Sequence, residues 1–209
     1  HRGNPRKAHK DLGEMEEAVD HYQQALVIAR HLGDRRNEGT HLGSVGSVYL
    51  LLGQMEKAVG YFEQALAIAR ETSDRQAEAT HLGSLGNACI PRGEMEQAVE
   101  YHQQAMAIAR ETGDRESEGN SLGNLGNAYF TLGETEKAVG YFEQALTIAR
   151  QTGDRHAEGN QLGNMGLVHR HLGDSARARD LLTQALTSFE AIGDPGAVRI
   201  RQWLAELEE

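Results

Sequence analysis

Five glycines stand at a constant interval of forty residues, at Gly13, Gly53, Gly93, Gly133 and Gly173. The interval also links Ala18, Ala58, Ala98, Ala138 and Ala178, and again Asp34, Asp74, Asp114, Asp154 and Asp194, without one slip. A period of this length marks an array of supersecondary units, each unable to bury its apolar face alone and therefore stacked on its neighbours. The chain is constrained to a thin, long core built repeat by repeat.

Within one period, Leu42, Val45, Gly46 and Tyr49 recur at helical spacing, and a second set follows Gly53 in Ala58, Val59, Phe62, Ala65, Leu66 and Ala69. Each unit is therefore two amphipathic helices, and no strand is needed. The aspartates at Asp34, Asp74, Asp114 and Asp154 can accept from the free amides of a first turn, and Glu38, Glu78, Glu118 and Glu158 follow near that positive helix end. Gly53 and its equivalents allow the left-handed conformation that ends a helix, and Arg30, Arg70, Arg110 and Arg150 suit a last turn. The spacing predicts first helices near 35–51, 75–91, 115–131 and 155–171, and second helices near 14–31, 54–71, 94–111, 134–151 and 174–190.

With 24 glycines, 3 prolines and only 5% aromatics, helix packing has to run through small residues. A net charge of -10, with 21 lysines and arginines dispersed along the chain, opposes a phosphate backbone and argues against nucleic acid. No apolar run approaches the roughly 18 to 20 residues that cross a bilayer, and the first ten residues lack a signal peptide's apolar stretch. The lone Cys89 excludes an internal disulfide, and no N-x-Ser/Thr acceptor occurs. A soluble, cytoplasmic protein with no membrane contact is expected.

Leu122, Leu125, Gly126, Tyr129, Ala138, Phe142 and Ala145 match, in order, the small and large positions of the tetratricopeptide repeat, which the chain resembles over nearly its whole length. The period exceeds the usual ~34 residues of that family. It resembles the forty-residue subclass of kinesin light chains and Pins-type polarity adaptors, which share the LGN-AY wording. The expected fold is all-α: a right-handed superhelical solenoid of antiparallel helix pairs with no internal domain boundary. Five repeats would occupy residues 1–194, the first incomplete at its N-terminus because Pro5 and Arg6 stand in the register of Val45 and Gly46. Residues 195–209 would form a capping helix, with Asp194 as its cap, Pro195 at its first position, and Trp203, Leu204 and Leu207 on its apolar face. This last stretch also resembles the ends of bacterial signalling ATPases with C-terminal repeat arrays, which implies a sensor segment of such a protein.

In that family the first helix of each unit lines the concave face. The resemblance then implies a peptide-binding set of Asn87, Asn120, Asn124, Asn127, Phe130, Asn160, Asn164 and Arg170 beside the packing stripe. An asparagine amide both donates and accepts, so a row of them can hydrogen-bond a guest backbone without dictating its sequence. Ser44, Ser47, Thr40, Thr80 and Ser84 take equivalent places, and Gly43, Gly83, Gly123 and Gly163 suit close approach of a guest chain or of a neighbouring repeat. The family's clamp for C-terminal carboxylates uses lysines where these glycines stand, which argues against chaperone tails as ligands.

No metal site is expected: His41 and His81 are isolated, and His169 and His171 point to different sides of a helix. Cys89 replaces Tyr49 and Tyr129 in the packing stripe and reads as a core residue, not a nucleophile. The Gly-rich stretch near Gly123 lies mid-helix with no strand before it, so it is no dinucleotide loop. Glu94, Glu96 and Glu100 form a solvated outer face. With no catalytic set and no cofactor, the expected function is a scaffold that binds a peptide or helix of a partner protein. The alternative is a structural module that self-associates into a homo-oligomer through its incomplete N-terminal end.

Overall fold

The computed structural model describes residues 5–207, with side chains from residue 13 onward. Among the described residues ten α-helices follow one another: α1 (Pro5–Leu32), α2 (Arg35–Leu51), α3 (Met55–Glu71), α4 (Arg75–Cys89), α5 (Met95–Thr112), α6 (Arg115–Thr131), α7 (Thr135–Thr152), α8 (Arg155–His171), α9 (Ser175–Ala191) and α10 (Gly196–Ala205). No strand occurs among the described residues. Residues 1–4 and 208–209, which the repeat alignment assigns to the first unit and the capping helix, lie outside them.

The helix starts are set by side chains: Asp34, Asp74, Asp114 and Asp154 accept from the amides of Asn37, Ala77, Ser117 and Ala157 at 2.9–3.1 Å. At α10 the N-cap is Pro195, not Asp194, and Pro195 stands just outside the helix; Asp194, one residue earlier, accepts from the Gly196 amide at 2.6 Å. The ends turn on residues with positive φ. Gly53, Gly93, Gly133 and Gly173 reverse the chain within a repeat, and Gly33, Gly113, Gly153 and Gly193 reverse it between repeats. Ser73 (φ 54°) takes this conformation where the other repeats have glycine. Pro91 has no amide to offer, and α4 ends in a single 3-10 turn over Ile90–Arg92.

One element departs from the periodic reading. Gly13 does not end a helix: α1 passes through it, so the expected second helix at 14–31 is the end of a longer one. Further, packing divides the chain after Ile108, within α5, into two compact units, each with its own core.

In unit 1, α2 packs on α1 and α3, α3 on α4, and α2 touches α4; in unit 2, α6 packs on α7, α7 on α8, α8 on α9, and α9 on α10. Within each helix pair one large side chain fills the bare Cα of a glycine: Phe62 on Gly46, His102 on Gly86, Phe142 on Gly126, and Leu182 on Gly166. Full burial of such a phenylalanine stabilises by about 1.5–3 kcal/mol. Beside it, Tyr49 stacks on Tyr61 (5.5 Å) and Tyr129 on Tyr141 (5.2 Å), with Lys57 and Lys137 over the first ring of each pair. Cys89 is buried in the place of these first tyrosines, and burial pushes its thiol up.

Ile200 of α10 is buried, and Trp203, Leu204 and Leu207 pack partly buried against the unit 2 core. No described helix is long and apolar enough to cross a membrane.

Candidate peptide-binding surface

The first helices α6 and α8 are brought together by Gly123, whose absent Cβ would lie 2.9 Å from Nε2 of Gln161. The same contact joins α2 to α4 through Gly43 and His81 (2.6 Å), and α8 to α10 through Gly163 and Ile200 (3.1 Å). At these three glycines the close neighbour is therefore the next repeat, whereas at Gly83 a Cβ would meet nothing within 4 Å.

Asn120, Asn124 and Asn127 follow one another at one-turn spacing along α6, and Asn160 and Asn164 do so along α8. All five are exposed or half-buried, and among the described residues their amides have no protein partner. Asn87 is exposed on α4, in unit 1. The two larger members of the expected set are engaged: Phe130 meets His171 edge-on at 5.5 Å, and Arg170 donates to Glu206, just past α10, at 2.5 Å. In unit 1 the corresponding surface carries hydroxyls. Thr40, Ser44, Ser47, Thr80 and Ser84 donate to carbonyls one turn back at 2.9–3.1 Å and line a cavity of about 440 Å³ between α2 and α4. Their protons are spent on their own helices, while the asparagines of unit 2 keep both donor and acceptor.

Two recurring ion-pair arrangements hold these helices in place, and neither follows from the local sequence signals. Buried Glu38 accepts from Arg30 (2.9 Å) and Arg35 (2.5 Å); Glu78 is bound in the same way by Arg70 and Arg75, Glu118 by Arg110 and Arg115, and Glu158 by Arg150 and Arg155. Hydrogen bonds from Arg30 and then Arg35 hold the Glu38 carboxyl below its ordinary value. At Glu78 and Glu158 burial pushes upward, but the paired arginines outweigh it and the carboxyls stay low. The signal is present as a constant Arg-to-Glu step of eight residues, but each partner also suits a helix end on its own.

The second arrangement joins the second residue of a first helix to the aspartate that precedes the next: Arg36 to Asp74 at 2.7 Å, and His156 to Asp194 at 2.7 Å. The Asp74 carboxyl is lowered by its Ala77 amide bond and by Arg36. Among the described residues no three His, Cys, Asp or Glu side chains are grouped so as to hold a metal ion.

The tetratricopeptide repeat family model matches residues 7–71, 76–151 and 141–191. No curated protein sequence matches the chain. Among solved structures, aspartyl phosphate phosphatase F from Bacillus subtilis is similar with a TM-score of 0.81 and 16% identity, over 95% of this chain and 52% of that one. A putative kinesin light chain with nearly identical repeats from Podosopora anserina gives 0.68 and 24%, over 87% and 90%. A signal transduction ATPase with a tetratricopeptide repeat sensor from Pyrococcus horikoshii gives 0.70 and 20%, over 83% and 26%. These likenesses are to the fold of stacked helix pairs, and the sequence match spans most of the chain: the protein belongs to the tetratricopeptide repeat family.

Proposed function

We propose that the chain is a protein-interaction module that holds a peptide segment or helix of a partner across α6 and α8. One observation carries this reading: Asn120, Asn124, Asn127, Asn160 and Asn164 present unpaired amides in rows on two adjacent helices. Such amides match an extended backbone, which offers a donor and an acceptor at each residue. Likeness to the repeat sensor of the signal transduction ATPase supports a sensor segment within a larger cytoplasmic signalling protein. The test is affinity capture followed by titration calorimetry, with Asn127→Ala and Asn164→Ala each weakening binding several-fold and the pair weakening it further, at about 0.5–1.5 kcal/mol per lost bond. Unchanged affinity in the folded double variant rejects this surface.

A second reading, self-association, is favoured by α1. Ile28, 60% exposed, lies on its surface. Leu32 extends the same strip. Sedimentation across a concentration series tests it, with Ile28→Asp expected to abolish any association.

A further inference from the structure

In unit 1 Arg36 places its Nε and Nη2 on Oδ2 of Asp74 at 2.8 and 2.7 Å, and in unit 2 His156 covers Asp194. Both aspartate side chains are thereby largely shielded, 15% and 16% exposed. The same register between α6 and α8 sets Glu116 beside Asp154, two carboxylates where these two pairs set a donor against a carboxylate. Asp154 uses Oδ1 to accept from Ala157, is exposed, and among the described residues receives no side-chain donor.

Around these two carboxylates lies a cavity of about 250 Å³, against about 130 Å³ for the counterpart in unit 1 where Arg36 sits. Gly119 and Ile148 form its apolar wall, Asn120 stands beside them, and Gln161 closes it. Gln161 is 8% exposed, and its amide oxygen has no donor. Arg115, on the rim, is already bound to Glu118 and Gln151. A buried acceptor left without a partner costs about 1–3 kcal/mol, so the cavity is short of a donor at its inner end as well as of positive charge at its mouth.

We propose that this cavity is a specificity pocket for a cationic side chain, a guanidinium or primary ammonium, of the peptide held across α6 and α8. The proposal rests on the peptide-binding reading above. Glu116 and Asp154 are the counter-ions, and the amide oxygens of Gln161 and Asn120 accept the remaining protons. Unit 1 shows the occupied form with a residue of its own, since Arg36 does for Asp74 what the guest's cation does for Asp154. A guanidinium fits better than an ammonium, because its planar donors can address carboxylates on two different helices at once.

The experiment is a nuclear magnetic resonance titration of the full isotope-labelled chain with three probes: Nα-acetylarginine N-methylamide, its lysine analogue, and its neutral citrulline analogue. Saturable shifts are expected at the Gly119 backbone and at the Asn120 and Gln161 side-chain amides, with arginine at least about tenfold tighter than citrulline. Glu116→Arg supplies the cation from within, as Arg36 does, and is expected to abolish these shifts while leaving the circular dichroism melt intact. Asp154→Asn keeps the helix cap and is expected to weaken arginine about tenfold. Citrulline binding as well as arginine, or a titration unaltered by Glu116→Arg, overturns the pocket.

Selection from a displayed random dodecapeptide library separates this proposal from the reading beneath it. Binders that depend on Asn127 and Asn164 but carry no enriched arginine or lysine overturn the pocket and leave the groove. Capped arginine that titrates normally, with no selected peptide depending on those asparagines, overturns the groove and leaves the pocket.

Discussion

The His102 ring lies against the bare Cα of Gly86, where a Cβ would stand 2.7 Å from both Cε1 and Nε2. Phe62 and Phe142 occupy the same place in their repeats, so an imidazole has replaced a benzene ring in a fully buried site. Neither of its nitrogens has a partner, and burial alone depresses it to about 4.

His102→Phe should therefore stabilise the protein, by about 1–2 kcal/mol at pH 7, through removal of an unsatisfied polar ring. The gain should grow on acidification. Because the folded-state value lies below the ordinary 6.5, the unfolded chain takes up a proton first, and stability falls as pH drops from 6.5 to about 4. The accumulated loss below pH 4 is about 3 kcal/mol. Urea titrations of parent and variant at pH 7 and pH 5 check this, and an equal gap at both values contradicts it.

Glu158→Gln should cost about 1–3 kcal/mol at pH 7, because Arg150 and Arg155 lose a charged acceptor in a buried place. The Glu158 carboxyl is held below its ordinary 4.5, so its contribution is complete above that pH and is lost as pH falls through the lower folded value. The gap between parent and variant should narrow in chemical denaturation as pH falls below 4.5. A gap as wide at pH 3 as at pH 7 would assign the cost to packing instead of charge.

Gly126→Ala sets two effects against each other. Alanine gains about 0.5–1 kcal/mol of helix stability, but its Cβ would stand 2.5 Å from Phe142 Cε1 in a packed core. Overpacking of this kind costs about 1–3 kcal/mol, so the variant should be less stable than the parent in urea. A more stable variant would show that the ring can move aside.

Removal of residues 195–209 uncovers the surface on which Ile200 and Trp203 lie over Gly163. Each kcal/mol lost lowers the melting temperature by roughly 2–4 °C in a chain of this size, so a drop of several degrees is expected, together with concentration-dependent light scattering. A truncated chain that melts with the parent and stays monomeric shows that α10 covers nothing essential.

The helices are legible in the sequence because their signals are local. Asp34 and Gly53 and their repeats mark starts and stops within a residue or two of those observed, and the apolar stripe needs only the helical period. The course of α1 departs from the periodic reading because Gly13 carries the periodic residue type without the positive φ of its equivalents, and residue type alone does not fix the backbone there. The asparagine rows are visible as a pattern along α6 and α8. The Glu116 and Asp154 juxtaposition is not, because it joins residues thirty-eight apart on different helices and has no meaning until Arg36 is seen on Asp74. The long-range step, not the residue type, hides it.

Gly43, Gly123 and Gly163 receive His81, Gln161 and Ile200, an aromatic base, an amide and an aliphatic chain. The socket is thus constant and the peg is free to vary in chemistry. At this contact the junction sets no demand on the chemistry of its successor's side chain. Arrays joined in this way can lengthen or shorten by whole forty-residue steps through unequal recombination, without redesign of a contact surface. Each added step would also bring a fresh stretch of first helix on which a different guest could be read.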